Sequence, residues 1–483
     1  MAATQLDSLE ASGRAFPAEG ALLRARIFLL KDAAKALTYV TERSATFKSK
    51  THRAEAQLIA GTAFARLSDH ASARSSFKNA AGLSSKSPPL LNEIHYQRAV
   101  SAWMERRLDA AERLVERASV EEAAEQLRVP WLVLEGAIAA SRGDISKQGG
   151  LLLEALRVTR ERANPDVWHW AFVVSQVSYL ARELPSAALR QAAIEELPKV
   201  PWTDDIRDTH YTTVRAIGWC HALEGDYFNA FRYLKEASKI APTAAWRVLS
   251  LCDRAYLAGC LGETRFCEQE RNEALDLAAT IDWQTLEGEE RFALCLLAEL
   301  FAPHDATLAM AQIAQYRKAG TRYAATLASA SDRRVTAMEA YSLGVVRRTL
   351  GERAEAVRLF SEAYAIYADI GYQWRAGRAA SALADLTGEE AWRQRSEIAL
   401  KPYERSWLTR QTRVTESQPR VDASILSPAR RLVYEQLVLG LSTRQIAVNL
   451  GRSEYTVRNH VKAIFKALKV KSRATLIARA QHR

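Results

Sequence analysis

Along almost all of this chain apolar residues recur every three to four positions, the period of a helix that buries one face. From Ala21 to Leu400 that period is hardly broken, and alanine and leucine supply most of the apolar positions. Runs of alternating β-branched residues, which would mark strands, are few. The pattern predicts an all-α chain. A longer frame repeats inside it. Gly61 is followed 12, 16 and 19 positions on by Ala73, Phe77 and Ala80. The same offsets return at Gly218, Ala230, Leu234, Ala237 and at Gly344, Ala356, Phe360, Ala363, where Leu343 precedes the glycine. Weaker copies lie at Ala99, Ala111, Val115, Ala118 and at Gly136, Leu152, Ala155. Small residues at these offsets let two helices touch, and the bulky ones fill the gap between them. Turn sequences such as Leu67-Ser68-Asp69, Arg142-Gly143-Asp144, Glu224-Gly225-Asp226 and Leu350-Gly351-Glu352 separate the helices of each pair.

This frame resembles the tetratricopeptide repeat. The resemblance implies a stack of helical hairpins, an α-solenoid in which neighbours bury what one hairpin cannot, with a concave groove. Spacing is uneven: Ala73 to Ala111 is 38 residues and Ala187 to Ala230 is 43, against about 34 in the regular repeat. A degenerate superhelix of roughly nine or ten hairpins is therefore expected. The frame is lost around 285–330, although Arg291 to Phe301 still reads as a buried helix.

The last 58 residues change character. Ser427-Pro428 opens a helix bearing Tyr434, Leu437, Val438 and Leu441, with Gly440 available as a left-handed stop. Ser442 and Gln445 have the spacing of a capping box ahead of a short helix with Ile446, Ala447 and Leu450. Gly451 permits a reversal, and Ser453 caps a further helix whose Val457, Val461, Ile464 and Leu468 form an apolar stripe. Arg458, Asn459, Lys462, Lys466 and Lys469 fall on the other side. Guanidinium, amide and ammonium groups along one outward edge suit the major groove of a duplex. Ser472 would cap a fourth helix carrying Leu476, Ile477 and Ala480.

These residues resemble the DNA-binding domain of LuxR-type (GerE-like) transcriptional regulators, through Leu426-Ser427, Gly440, Ser442, Ile446-Ala447, Leu450, Ser453, Thr456-Val457-Arg458, His460, Ile464, Leu468, Val470 and Ser472-Arg473. The resemblance implies base contacts from Arg458, Asn459 and Lys462. It places Arg444, Thr456, Lys466 and Lys471 near phosphates, and makes Leu476 and Ile477 dimerisation candidates on DNA. Ala429-Arg430 departs from the family, which has an Arg-Glu pair there; the missing acid removes half of a reciprocal cap.

Charge separates a DNA-binding tail from a merely basic helical one. Residues 421–483 hold 12 Lys and Arg against 3 Asp and Glu, whereas residues 1–420 hold 55 against 53. Nearly all of the chain's excess of +11 lies on the segment with the motif, as a footprint for phosphate would. The expected division is a loose lead-in over 1–18, the repeat array over 19–402, a linker over 403–424 and the helix-turn-helix domain over 425–483. The linker's Thr409 to Pro419 has no apolar period, so it reads as a flexible tether.

Catalysis is not expected. Glycine is never followed by lysine, so the chain has no phosphate-binding loop, and it has no HExxH, nucleophile elbow or glycine-rich dinucleotide turn. Regulators that join a nucleotide switch to a repeat array and a LuxR-type tail are thus matched only in their last two parts. No metal or cofactor is implied. Five cysteines without CxxC spacing read as core thiols of a cytoplasmic protein, with a redox switch among Cys252, Cys260 and Cys267 as the alternative. No signal peptide or membrane-spanning run is evident. Trp131, Trp168, Trp170, Trp202, Trp219, Trp246 and Trp283 crowd the middle third, either packing between helices or lining a groove for a peptide, partner helix or apolar signal. The function expected is a sequence-specific transcriptional regulator, homodimeric on double-stranded DNA, whose array senses a ligand or protein effector. The alternative is an interaction scaffold that its basic tail localises to nucleic acid.

Overall fold

Three of the turns between paired helices, at 67–69, 142–144 and 224–226, are built the same way. One residue adopts a left-handed backbone and the next caps the second helix. Gly143 and Gly225 have φ of +90° and +85°, and Ser68 stands in the same place at +61°. The carboxylates of Asp69, Asp144 and Asp226 then accept from the amides of Ser72, Lys147 and Asn229 at 3.1, 2.9 and 3.2 Å. A left-handed residue with a Cβ costs about 1–2 kcal/mol, and glycine's extra chain entropy gives part of that back. Ser68→Gly is accordingly expected to stabilise the array by about 0.5–1 kcal/mol, read as a raised urea midpoint at unchanged slope.

The computed structural model describes residues 18–406 and 426–476, apart from 85–86, 121–126, 163–164, 287–288, 327–332, 439–440, 469, 471–472 and 474–475. Among the described residues there is no strand, as the apolar period requires, and ten hairpins follow one another. The first five pair α1 (Ala18–Lys31) with α2 (Ala33–Glu42), α3 (Lys50–Arg66) with α4 (His70–Leu83), α5 (Pro88–Met104) with α6 (Leu108–Val120), α7 (Arg128–Ser141) with α8 (Ile145–Glu161), and α9 (Val167–Glu183) with α10 (Ala187–Glu196). The next five pair α11 (Arg207–Glu224) with α12 (Tyr227–Ile240), α13 (Ala244–Cys260) with α14 (Thr264–Ala278), α15 (Phe292–Phe301) with α16 (Ala306–Thr326), α17 (Arg333–Thr349) with α18 (Arg353–Asp369), and α19 (Gln373–Thr387) with α20 (Glu390–Leu400).

The repeat frame is a packing rule. A Cβ added to Gly61, Gly218 or Gly344 would come within 2.8–2.9 Å of Phe77, Leu234 or Phe360, each 16 positions on. The small residue on the first helix is the socket for the bulky one on the second. The hairpin missing from the sequence frame, α15 with α16, keeps these offsets: Leu297, Ala309, Ile313 and Tyr316 are all buried. Leucine stands where the frame has glycine, and tyrosine where it has alanine.

The first helices of the later hairpins face inward. Side chains of α9, α11, α13, α15, α17 and α19 converge on one narrow interior space. There α19 meets α9: Arg375 donates two hydrogen bonds to the Glu183 carboxylate at 2.8 and 3.0 Å, across 192 residues of chain. Trp374 packs on Trp219 with ring centroids 5.6 Å apart. The segment after α20 completes the contact. Tyr403 is buried and donates to the Glu183 carbonyl at 3.4 Å, and Ser406 donates to the Ala222 carbonyl at 2.9 Å. The array thus closes one turn upon itself.

Most of the tryptophans pack between helices. Trp131, Trp219 and Trp283 are buried, and Trp170, Trp202 and Trp283 donate to Glu196, Leu197 and Ala278 at 3.1, 2.9 and 3.0 Å. Trp168 differs, at 51% exposed. Cys220, Cys252, Cys260 and Cys295 are buried free thiols, and burial pushes the Cys260 thiol up to about 11. Such thiols are poor nucleophiles, so core packing is the reading the geometry supports. Among the described residues, no group suited to hold a metal ion occurs and no helix is long and apolar enough to cross a membrane.

Candidate nucleic-acid interface

Residues 426–476 have a core of their own. Helix α21 (Pro428–Val438) contributes Val433 and Leu437, α22 (Thr443–Asn449) contributes Ile446 and Ala447, and α23 (Glu454–Ala467) contributes Val457 and Ile464. Leu426, Leu468, Val470 and Leu476 close it. Val433 is not among the apolar positions that helical spacing singles out; Tyr434, which is, is only partly buried. A register one residue earlier gives Val433 the inward face.

Local hydrogen bonds set the angle between α22 and α23. The Ser442 side chain accepts from the Gln445 amide at 3.2 Å, and the Gln445 side chain accepts from the Ser442 amide at 2.8 Å, closing the capping box. Gly451 takes φ of +59°, the left-handed conformation a tight reversal needs. Ser453 then accepts from the Thr456 amide at 3.1 Å and starts α23.

Because Val457 and Ile464 point into the core, Arg458, Asn459, Lys462 and Lys466 are turned outward, and all four are exposed. Tyr455 precedes Arg458 by three residues and Lys462 by seven, which puts its ring, 75% exposed, on the same face. Reasoning from charge misses this tyrosine; its spacing from the two cations is the available signal. Arg458 lies 3.3 Å from Glu454 one turn back, a contact both solvent-accessible partners can give up for a phosphate or base at small cost. Arg444 is exposed on α22, and the Thr456 hydroxyl lies 2.8 Å from that of Ser453.

Two implied roles fare differently. Lys471 and Ile477 lie outside the described residues, as do Gly440, Lys469 and Ser472. Leu476 is fully buried in the domain's own core, which leaves it no free surface to offer a second copy.

A trihelical core, a capped short helix, a glycine reversal and an outward basic helix make residues 426–476 a helix-turn-helix domain of the DNA-binding kind. The family comparison agrees with this geometry. Residues 424–480 match the model described as GerE, bacterial regulatory proteins, luxR family, so the chain carries the DNA-binding part of a transcription regulator. No curated protein matches the chain. Among solved structures, similar chains come from the crystal structure of the APC/C hetero-tetramer Cut9-Hcn1 and from Naa15/Naa10 bound to HypK-THB. The first is 12% identical with a TM-score of 0.28, covering 98% of this chain and 91% of that one. The second is 13% identical with a TM-score of 0.21, covering 95% and 72%. The all-helical array rests on its own packing.

Proposed function

We propose that this chain is a sequence-specific transcriptional regulator in which the helical array controls a DNA-binding tail, residues 425–483, through the expected linker of 403–424, whose first residues, Tyr403 to Ser406, pack into the array. The observation that carries it is the single outward face of α23, where Arg458, Asn459, Lys462 and Lys466 are all exposed above a buried stripe. Arg458 and Lys462 donate to guanine, Asn459 pairs with adenine, and Arg444, Thr456, Lys466 and Lys471 hold phosphates. Two copies grip a two-fold site, and binding of an effector to the array shifts the population that does so. The role is non-catalytic and needs no cofactor, and its setting is the cytoplasm.

Fluorescence anisotropy on a selected duplex and on random duplex, at fixed salt, tests this. A regulator prefers the selected duplex by about a thousandfold or more. Equal affinity for both, with the same salt dependence, would leave a scaffold that its basic tail merely localises.

A further inference from the structure

Beside the point where the array closes lies a cavity of about 870 Å³, between α5, α7, α8 and α9 on one side and the start of α17 with the α18–α19 turn on the other. That volume falls in the range of small-molecule sites, about 300–1,000 Å³. Its body is apolar and aromatic: Trp103, Val133 and Phe172 line it, and the half-exposed Trp168 stacks on Phe172 with centroids 5.5 Å apart and planes 3° from parallel. Tyr179 and Arg334 form its inner wall and also belong to the narrow interior space behind it.

Positive charge gathers on both sides of that wall. Arg106, Arg142, Arg333 and Arg334 line the cavity; Arg142 is already paired with Asp109 and Glu112, and the one lining carboxylate, Asp369, pairs with Arg333. Behind the wall, five guanidiniums (Arg182, Arg215, Arg334, Arg375 and Arg378) meet the carboxylates of Glu183, Asp253 and Glu299. Arg215 pairs with Asp253, and Arg378 lies 3.3 Å from Glu299. Glu183 is shared: Arg375 and Arg182 each reach it at 2.8 Å, and Arg334 acts on it from the Tyr179 side. Arg334 donates to the Tyr179 hydroxyl, and the Arg334 and Arg182 guanidiniums lie 5.1 and 4.5 Å from the Tyr179 ring centroid. Guanidiniums gathered in excess of carboxylates inside low-dielectric walls create a field that draws an anion. Arg334 is the member of both groups, so that field is met from the cavity at its guanidinium.

We infer that this cavity binds a small amphipathic anion, its apolar or aromatic body against Trp168 and Phe172 and its carboxylate or phosphate head at Arg334. The occupant would touch both α9 and α17, so it would favour the closed turn over an opened one by its differential contact with the two. This deepens the proposed control of the tail, and it rests on that reading only for its consequence, not for the binding.

The probe is 8-anilinonaphthalene-1-sulfonate, an aromatic anion, titrated against the full-length protein by fluorescence without DNA. N-phenyl-1-naphthylamine serves as its uncharged counterpart. One saturable site is expected for both. Phe172→Ala should weaken both, whereas Arg334→Gln should weaken the sulfonate about tenfold or more and the neutral probe hardly at all, since it removes a charged hydrogen bond. Arg334→Gln also lowers the excess of positive charge, so the array should stay closed, and circular dichroism checks this. Should that variant fail to fold, added salt on the natural protein gives the same contrast: the sulfonate weakens and the neutral probe does not. Dodecanoate or benzyl phosphate should displace the sulfonate. Equal losses for both probes in Arg334→Gln, non-saturating binding, or displacement by a glutamate-rich peptide but by neither small anion would overturn the assignment. If dodecanoate binds while operator affinity is unchanged, the site stands and the proposed control of the tail fails.

Discussion

Replacing Glu183 with alanine is expected to cost the array about 3–5 kcal/mol, because it strands Arg182 and Arg375 in the interior without a carboxylate. The side chain is 1% exposed, so solvent does little to screen the loss. Burial alone would raise its pKa, but the Arg375 and Arg182 guanidiniums outweigh that and hold it down at about 2. Its folded pKa therefore lies below its ordinary value of 4.5. The stability it contributes is present in full above that value and is lost as pH falls towards 2. Glu183→Gln keeps the shape and removes the charge, so it should lose most of the same stability and flatten the acid dependence. As a control, Glu154→Ala breaks a solvent-screened pair with Arg157 and should leave the urea midpoint almost unmoved. Every tryptophan precedes residue 408, so tryptophan fluorescence during urea unfolding reports on the array and not on the tail. Equal, small losses for Glu183→Ala and Glu154→Ala would mean that the closing contact holds nothing.

The second large effect concerns the recognition helix. Arg458→Ala and Lys462→Ala are each expected to relax sequence preference by about 1–3 kcal/mol at the base they read. Lys466→Ala should instead weaken all duplexes alike and reduce the salt slope by about one. All three are exposed, so the fold of the domain is not at stake. Competition binding with single-base variants of the selected site separates the two patterns. Equal losses on specific and random DNA for Arg458→Ala and Lys462→Ala would withdraw their assignment as base readers.

The helix-turn-helix was legible because its signals are local. Ser442 and Gln445, or Gly451 and Ser453, act within four residues of one another, and the outward placement of Arg458 and Lys462 follows from a buried Val457 and Ile464. The repeat frame was legible where a glycine socket met a bulky side chain 16 positions on. It vanished between α15 and α16, where Leu297 and Tyr316 replace the small residues without changing the offsets. Closure of the array left no such trace. Glu183 and Arg375 are ordinary charges on helix surfaces until 192 residues of stacked hairpins bring them together, and only the accumulated curvature of the stack decides which surfaces meet. The same holds for Trp168, one of many tryptophans in sequence, whose ring opens onto a cavity because of helices contributed from the far end of the array. Leu476 shows the opposite case: a leucine on a terminal helix reads as an interface, although the small core needs it.

The central claim is that the outward face of α23 reads a specific duplex under the control of the array. Selection of bound fragments from genomic DNA, with the full-length chain and with residues 421–483 alone, tests it most directly. The account predicts one shared, two-fold-symmetric motif, recovered by the tail and by the full chain to a degree that the state of the array sets. No enrichment by either would contradict it.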